Sequence, residues 1–361
     1  MSASRPTILD VASRAGVSKS LVSLALSGSP KVSDTSRVRI ERAAQELGYR
    51  PNAAARSLAA KKSRTLGVLV LDLHNPVFAE ILDGVQTEVR QHGFTTMLVS
   101  GGDDPALERE EIDTLQQFQI EGLVLISHRL TEAMLRDVAG EIPTVTVTRD
   151  DIAIPRMDMV CNDDVEGGRL AVDHLVSLGH RRIVCLSGGD NPVSHSRAQG
   201  YLEAMAAHGL SDHAQIVSGG LTDTAGYRAA KEALELSPTA LFVANDIGAM
   251  GAIAAVEEAG FDVPSDISVI GYDGIRLAGL RSVNLTTVAQ PLAELGRLAA
   301  TRLLERLERP SRPAQHDQVS SQLVVRGTTG PANPSPTDES PDKKRDGAGR
   351  SDAATALSNP L

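Results

Sequence analysis

From Leu66 to about residue 330 the chain alternates short apolar runs with longer amphipathic stretches, and this alternation constrains its fold more than any other feature. Candidate strands fall at 66–71, 95–99, 122–126, 144–147, 182–187, 214–217, 240–244, 267–271 and 285–288, with a last one at 322–325. Helical periodicity fills the gaps. In 79–92 it groups Ile81, Leu82, Val85 and Val89, and in 166–178 it groups Leu170, Ala171, His174, Leu175 and Leu178. Strands separated by helices require right-handed crossovers and parallel sheets. An internal echo divides the region in two. Asn75-Pro76-Val77 is followed 17 residues later by His92-Gly93, and Asn191-Pro192-Val193 is followed 17 residues later by His208-Gly209. Each block starts after an apolar strand and ends at a helix-terminating glycine, so two related α/β lobes are expected. Open parallel sheets bind ligands at the carboxyl ends of their strands, which would put a site between two facing lobes.

The first 64 residues are different in kind. They carry 12 Lys and Arg against 4 Asp and Glu, a net of +8, whereas the remainder carries 24 against 42, a net of −18. A small basic head on an acidic body suits contact with a polyanion. The head is also punctuated as helices. Thr7 and Asp10 have capping-box spacing ahead of Ile8, Val11 and Ala12, and that helix runs to Gly16. Ser18 can cap a second helix with Val22, Ala25 and Leu26 on one side, ending at Gly28. Ser33 can cap a third, in which Ile40, Ala43, Ala44 and Leu47 follow the helical period. Three short helices with a tight turn between the first two describe a helix-turn-helix. Its second helix would enter the major groove with Lys19, Ser20, Ser23, Leu24 and Ser27 outward. Lysine donates to guanine O6 and N7, and serine pairs with several base edges or a phosphate.

Other function classes find little support. Two cysteines, Cys161 and Cys185, make neither a disulfide framework nor a metal site. No apolar run is long enough to span a membrane and no signal segment follows Met1, so a cytoplasmic protein is expected. The glycines of SGGD at 187–190 lack G-x-G-x-x-G spacing, no P-loop string occurs, and Ser187 has no G-x-S-x-G elbow. The nine histidines show no metal-ligand spacing. Neither a cofactor, nor a metal, nor a catalytic centre is therefore expected. Residues 331–361, rich in Pro, Ser, Asp and Gly, read as a disordered tail without heptads.

The head string TILDVASRAGVSKSLVSLALSGSPKVSDTSRVRIERAAQELGYRPNAAARSL, with the two-lobed body, closely resembles the lactose-repressor (LacI/GalR) family of bacterial transcription regulators. LHNPVFAEIL, NDDVEGGRLAVDHLVSLGHRRI, VANDIGAMGAI, ISVIGYD, LTTVAQP and LVVRGTT extend the likeness over residues 6–330. It implies an all-α head at 1–51, a hinge helix and linker at 52–65, and a periplasmic-binding-protein-like body at 66–330. Lobe one would hold about 66–160 and 291–319, and lobe two about 161–290 and 320–330. A homodimer reading a near-palindromic double-stranded operator is implied, most simply a repressor modulated by a small-molecule effector such as a sugar. A solute-binding protein of a transporter is the alternative that the body alone would suit, and a nucleotide-dependent α/β enzyme is a third.

By the same likeness Lys19, Ser20 and Leu24 read bases, with Thr7, Ser18, Ser23, Asn52 and Arg56 also at the DNA. The family often has arginine where Leu24 stands, so Leu24 shifts operator preference toward a thymine methyl. Leu58, in NAAARSL, matches the leucine that wedges into the minor groove at the operator centre. Lys61, Lys62 and Arg64 are phosphate contacts or solvated charges. Effector contact carries over to Arg197, Asn245 and Asp273, and less directly to Phe78, Arg149 and Gln290. Asp246 reads better as a cap of the helix beginning IGAMGAI. Near Leu221 many members have an aromatic that stacks on a flat ligand. Here nine aromatics serve the whole chain, with Phe78 the one placed in the ligand cleft.

Overall fold

A computed structural model describes residues 6–26, 28–50, 62–149 and 151–333. The chain divides into two units, one comprising 1–161 with 293–317 and the other 162–292 with 318–361.

The head belongs to the first unit and has helices α1 (Ile8–Ala15), α2 (Lys19–Leu26) and α3 (Asp34–Leu47). Its capping box forms in full, since Thr7 Oγ1 accepts from Asp10 N–H while Asp10 Oδ2 accepts from Thr7 N–H at 2.7 Å. Ser18 Oγ accepts from Leu21 N–H at 3.2 Å, and Ser33 Oγ accepts from Ser36 N–H. Gly16, at φ +63°, turns the chain between α1 and α2 where a side chain would be strained. Val11, Ala15, Val22, Ala25, Ile40 and Ala43 close a core of small residues. It leaves one face of α2 outside.

The rest of the first unit contains β1 (Thr65–Val70), α4 (Pro76–Gln91), β2 (Thr95–Ser100), α5 (Pro105–Gln117), β3 (Gly122–Ile126), α6 (Glu132–Glu141), β4 (Thr144–Val147) and β5 (Met157–Asn162). The second unit contains α7 (Asp164–Ser177), β6 (Ile183–Ser187), α8 (Pro192–Ala207), β7 (Gln215–Ser218), α9 (Asp223–Leu234), β8 (Ala240–Val243), α10 (Asp246–Glu258), β9 (Ser268–Asp273) and β10 (Thr286–Ala289). The chain then adds α11 (Leu292–Glu308) and β11 (His316–Val319) to the first sheet's side and β12 (Gln322–Val324) to the second sheet.

The sheet orders are β11-β5-β4-β3-β1-β2 and β12-β10-β9-β8-β6-β7, the same topology twice. Strands β1–β5 pair in parallel, as do β6–β10, whereas β12 returns antiparallel to β10. The sequence echo marks equivalent helices. Asn75 caps α4 and Asn191 caps α8 through their side chains, each followed by proline in the first turn, and Gly93 and Gly209 end them at positive φ. Leu69, Ile112, Leu123, Leu125 and Val138 fill the first core; Leu175, Tyr201, Phe242, Ile270 and Tyr272 fill the second.

Two strands escape the periodicity. Strand β5 is wholly buried despite Asp158 and Asn162, because Arg306 pairs with Asp158 through two 2.7 Å bonds and Asn162 donates to Tyr272 Oη at 2.8 Å. Strand β11, His-Asp-Gln-Val, is a polar edge with no apolar signature. The chain also stays ordered past its expected end. Ala332 N–H donates to Leu178 O at 2.9 Å and Asn333 Nδ2 to Ser265 O at 2.6 Å, while 334–361 fall outside the described residues.

Helices pack backbone to backbone at glycines. A Cβ on Gly84 of α4 would overlap the Ala293 carbonyl of α11, and one on Gly296 that of Ile81. Gly168 and Gly200 play the same part between α7 and α8, and Gly226 and Gly251 between α9 and α10. Among the described residues no helix is long and apolar enough to cross a membrane.

Candidate DNA-reading helix and ligand sites

On α2, Lys19, Ser20, Ser23 and Leu24 are exposed, and Ser18 is exposed at its cap. Buried Val22 and Ala25 hold the opposite side, so the outward set is fixed by packing. Thr7 is committed locally, its hydroxyl donating to Asp10 Oδ2 at 2.8 Å. Ser27, Asn52, Arg56, Lys61 and Leu58 lie outside the described residues. Arg64 is not a loose charge. Its N–H donates to Glu121 Oε1 at 2.7 Å, its Nη1 donates to His92 O at 3.2 Å, and its guanidinium lies 5.1 Å from the Phe94 ring centre. These contacts anchor the chain as it enters β1.

The six candidate effector residues lie at or beyond the carboxyl ends of parallel strands, Asp273 being the last residue of β9. Phe78 and Arg149 belong to the first unit, Arg197, Asn245, Asp273 and Gln290 to the second.

In the second unit Arg197, on α8, is buried among carboxylates. Its Nε donates to Asp164 Oδ1 at 3.0 Å; its Nη1 donates to Ala244 O at 2.5 Å and lies 3.1 Å from Asp273 Oδ1. The guanidinium stacks 3.8 Å from the Tyr272 ring centre. Gln290 Nε2 donates to Asp273 Oδ1 at 2.7 Å. Arg197, Asp273 and Gln290 are thus one group. Arg197 Nη2 and Asp273 Oδ2 have no hydrogen-bond partner among the described residues.

Burial works against the Arg197 cation, but Asp164 and Asp273 outweigh it and hold its pKa above the ordinary value. Burial lifts the Asp273 carboxyl above the usual range against the pull of Arg197. Asp273 also has φ +109°, a conformation a non-glycine residue adopts only under constraint. Such strain concentrates at ligand sites.

The helix cap expected at Asp246 falls one residue earlier. Asn245 is the helix cap, with Oδ1 accepting from Gly248 N–H at 3.0 Å and Nδ2 donating to Leu221 O at 2.9 Å. Asp246 leaves its own helix. Its Oδ2 accepts from Gly274 and Ile275 N–H at 2.8 and 2.9 Å, and Oδ1 accepts from Thr287 Oγ1 at 2.6 Å. An Asn-Asp pair before a helix offers two possible caps, and sequence alone does not choose between them.

In the first unit, Phe78 is buried in the first turn of α4. Arg149 follows β4 and is largely engaged. Its Nε and Nη2 clasp Asp151 at 2.8 and 2.6 Å, while Nη1 donates to His128 O at 3.1 Å and Leu130 O at 3.4 Å. His128 is buried with Nε2 3.0 Å from Thr146 Oγ1. Burial, and then the Arg149 charge, push its pKa down to about 3, so it is neutral. Glu108 is buried too, its two oxygens accepting from Arg129 N–H at 2.9 and 2.8 Å; burial lifts it to about 7. Sequence reasoning passed over Thr148. It sits at φ +77°, and its buried Oγ1 has no partner among the described residues. A β-branched residue at positive φ leaves no mark in a single sequence. Asp164 and Tyr272 were also passed over, although both lie in strings that carried the family likeness.

Among the described residues no cluster of three or more His, Cys, Asp or Glu could hold a metal ion. Residues 7–52 match the family described as bacterial regulatory proteins, lacI family, and residues 172–329 match the periplasmic binding protein-like domain. The HTH-type transcriptional repressor CytR of Escherichia coli strain K12 is 33% identical over 327 residues, covering 90% of this chain and 96% of that one. The ribose operon repressor of the same strain is 34% identical over 328 residues, covering 89% and 99%. Among solved structures, a lac repressor dimer bound to operator and the anti-inducer ONPF has TM-score 0.81 and 28% identity, covering 90% of this chain and 99% of that one. A LacI family regulator from Enterococcus faecium with bound ribose has TM-score 0.67 and 28% identity, covering 74% and 100%.

Proposed function

This chain belongs to the lacI family of bacterial regulatory proteins, and from that premise we propose how its DNA-binding and ligand-responsive parts are divided. It is a DNA-binding transcriptional regulator. In our reading it is a repressor and not an enzyme. Lys19, Ser20, Ser23 and Leu24 on α2 face the major groove, and Ser18 with Thr7 fixes the helix ends at the phosphates. Asn52, Arg56 and Leu58 join them on the strength of the family likeness alone. A homodimer presents two such heads to a near-palindromic operator; the lac repressor similar to this chain is likewise a dimer bound to operator.

The effector is a small polyhydroxylated molecule held in the second unit. The observation that carries this is a pair of unclaimed atoms of opposite character side by side, Arg197 Nη2 as donor and Asp273 Oδ2 as acceptor. A hydroxyl both accepts and donates, so neighbouring hydroxyls satisfy both atoms at once. Gln290 serves mainly to place Asp273, Asn245 stands beside the pair as the cap of α10, and Phe78, Arg149 and Thr148 are the first unit's candidates. Effector binding releases the operator in this reading.

The experiment is selection of duplexes from a random pool with the full chain, followed by titration with D-ribose and cellobiose. A near-palindromic consensus is expected, with affinity falling with salt by about 0.9 log units per phosphate contacted for each log unit of salt. A sugar that binds should change operator affinity by about 5–150-fold, and Arg197→Ala should remove that change. Selection that returns no consensus, or a full response in Arg197→Ala, would overturn the corresponding half of the reading.

A further inference from the structure

We propose that Asp246 is a positioning residue for effector recognition: from the first turn of α10 it holds the strained backbone of Asp273 so that its carboxylate is presented beside Arg197. This rests on the reading that Arg197 and Asp273 hold the effector.

The two N–H groups that Asp246 captures, those of Gly274 and Ile275, are the first two after Asp273. A residue at φ +109° relaxes unless its neighbours are fixed on both sides. Asp246 fixes the following side. Gln290 fixes Asp273 itself, its N–H donating to Asp273 O at 3.0 Å and its side chain to the carboxylate. Thr287, on β10, donates to Asp246 Oδ1 and so ties the carboxylate to the strand that leads to Gln290. The string Gly271-Tyr272-Asp273-Gly274 leaves room for this arrangement. A Cβ on Gly271 would come within 2.5 Å of Asp246 Oδ1, and one on Gly274 would overlap Ala289.

The electrostatics agree. Burial, and then the negative charge of Asp273, lift the Asp246 carboxyl above the usual range and favour its neutral acid. Asp164, Asp246 and Asp273 thus share the second unit's buried region with the cation of Arg197 and with the neutral Gln290 and Thr287. A neutral acid still offers one oxygen to both backbone N–H groups, and so does asparagine, whose Nδ2 then donates to a Thr287 hydroxyl turned to accept.

The test uses the full chain with Asp246→Ala, Asp246→Asn and Thr287→Val, and Arg197→Ala and Asp273→Asn for comparison. Crystal structures of the variants report the backbone at Asp273, and calorimetry reports D-ribose and cellobiose affinity. Asp246→Ala should release Asp273 from the left-handed region and weaken sugar binding by about tenfold or more, the worth of two buried hydrogen bonds. Asp246→Asn should restore both. Thr287→Val should weaken binding in the same direction by less, and it carries the test if Asp246→Ala does not fold. Asp273 unchanged near its native φ in Asp246→Ala, or in Thr287→Val with undiminished affinity, overturns the proposal whether or not either sugar proves the natural ligand. Should Arg197→Ala and Asp273→Asn bind sugar as the wild type does, the effector reading fails, and the backbone at Asp273 still decides the role of Asp246.

Discussion

His128 should make the first unit sensitive to acid, by an amount that follows from its surroundings. The ring is buried, hydrogen-bonded to Thr146, with Nδ1 3.5 Å from Arg149 Nη1. Burial and the neighbouring cation depress its pKa from 6.5 to about 3. Between those two values the native state binds fewer protons than the unfolded chain. Stability from this group is therefore full above the unfolded value and is lost progressively as pH falls below it, toward the folded value. Integrating the linkage from pH 7 to pH 5 gives a loss of about 2 kcal/mol. Glu108 and Asp273, whose pKa values are raised, act in the opposite direction, but they remain in any His128 variant and cancel in the comparison. His128→Gln keeps a neutral partner for Thr146 and does not titrate. Native-state hydrogen exchange of the β3 and β4 amides, corrected for intrinsic rates, reads the local stability at both pH values. The variant should lose about 2 kcal/mol less than the wild type on acidification. Parallel losses in the two proteins would show that His128 protonates without penalty and that the argument is wrong.

Three further outcomes are expected. Lys19→Ala should relax base preference at one operator position per half-site at a cost of about 1–3 kcal/mol, whereas uniform weakening across operators would make Lys19 a phosphate contact. Gly84→Ala should destabilise the first unit by about 1–3 kcal/mol, because the new methyl must displace the Ala293 carbonyl; an unchanged thermal midpoint would contradict the close approach. Asp158→Ala should cost about 3–5 kcal/mol by leaving Arg306 and Arg312 without their shared buried carboxylate, and denaturant melts would measure it.

Much of this fold was legible because its signals are local. The capping box at Thr7 and Asp10, the glycine turn at Gly16 and the repeated Asn-Pro-Val helix start each act within one turn of chain, and each forms as the spacing required. Features that depend on partners distant in sequence were hidden. Strand β5 drew no strand reading, because Asp158 interrupts it and the Arg306 that pairs with Asp158 lies 148 positions later. Asp246 reads as a cap until it is seen to reach Gly274, 28 positions on. The positive φ at Thr148 and Asp273 has no single-sequence signature, since threonine rarely adopts it and an aspartate that does, such as Asp103, looks in sequence like any other. Arg64 read as a phosphate contact or a solvated charge because Glu121 and Phe94 are its partners only in three dimensions.

The glycine seams between α4 and α11, α7 and α8, and α9 and α10 limit how these units can move. Shear motion needs side chains that can change rotamer while one helix slides over another. Where a carbonyl faces a bare Cα there is no side chain to give, so small sliding steps meet the steep wall of the van der Waals potential. Each seam therefore behaves as a keyed joint. Rearrangement within a unit is left to segments outside the seams, such as the turn after Asp273, whose backbone is already under strain. Ligand binding would then act on such segments and leave the seams in place.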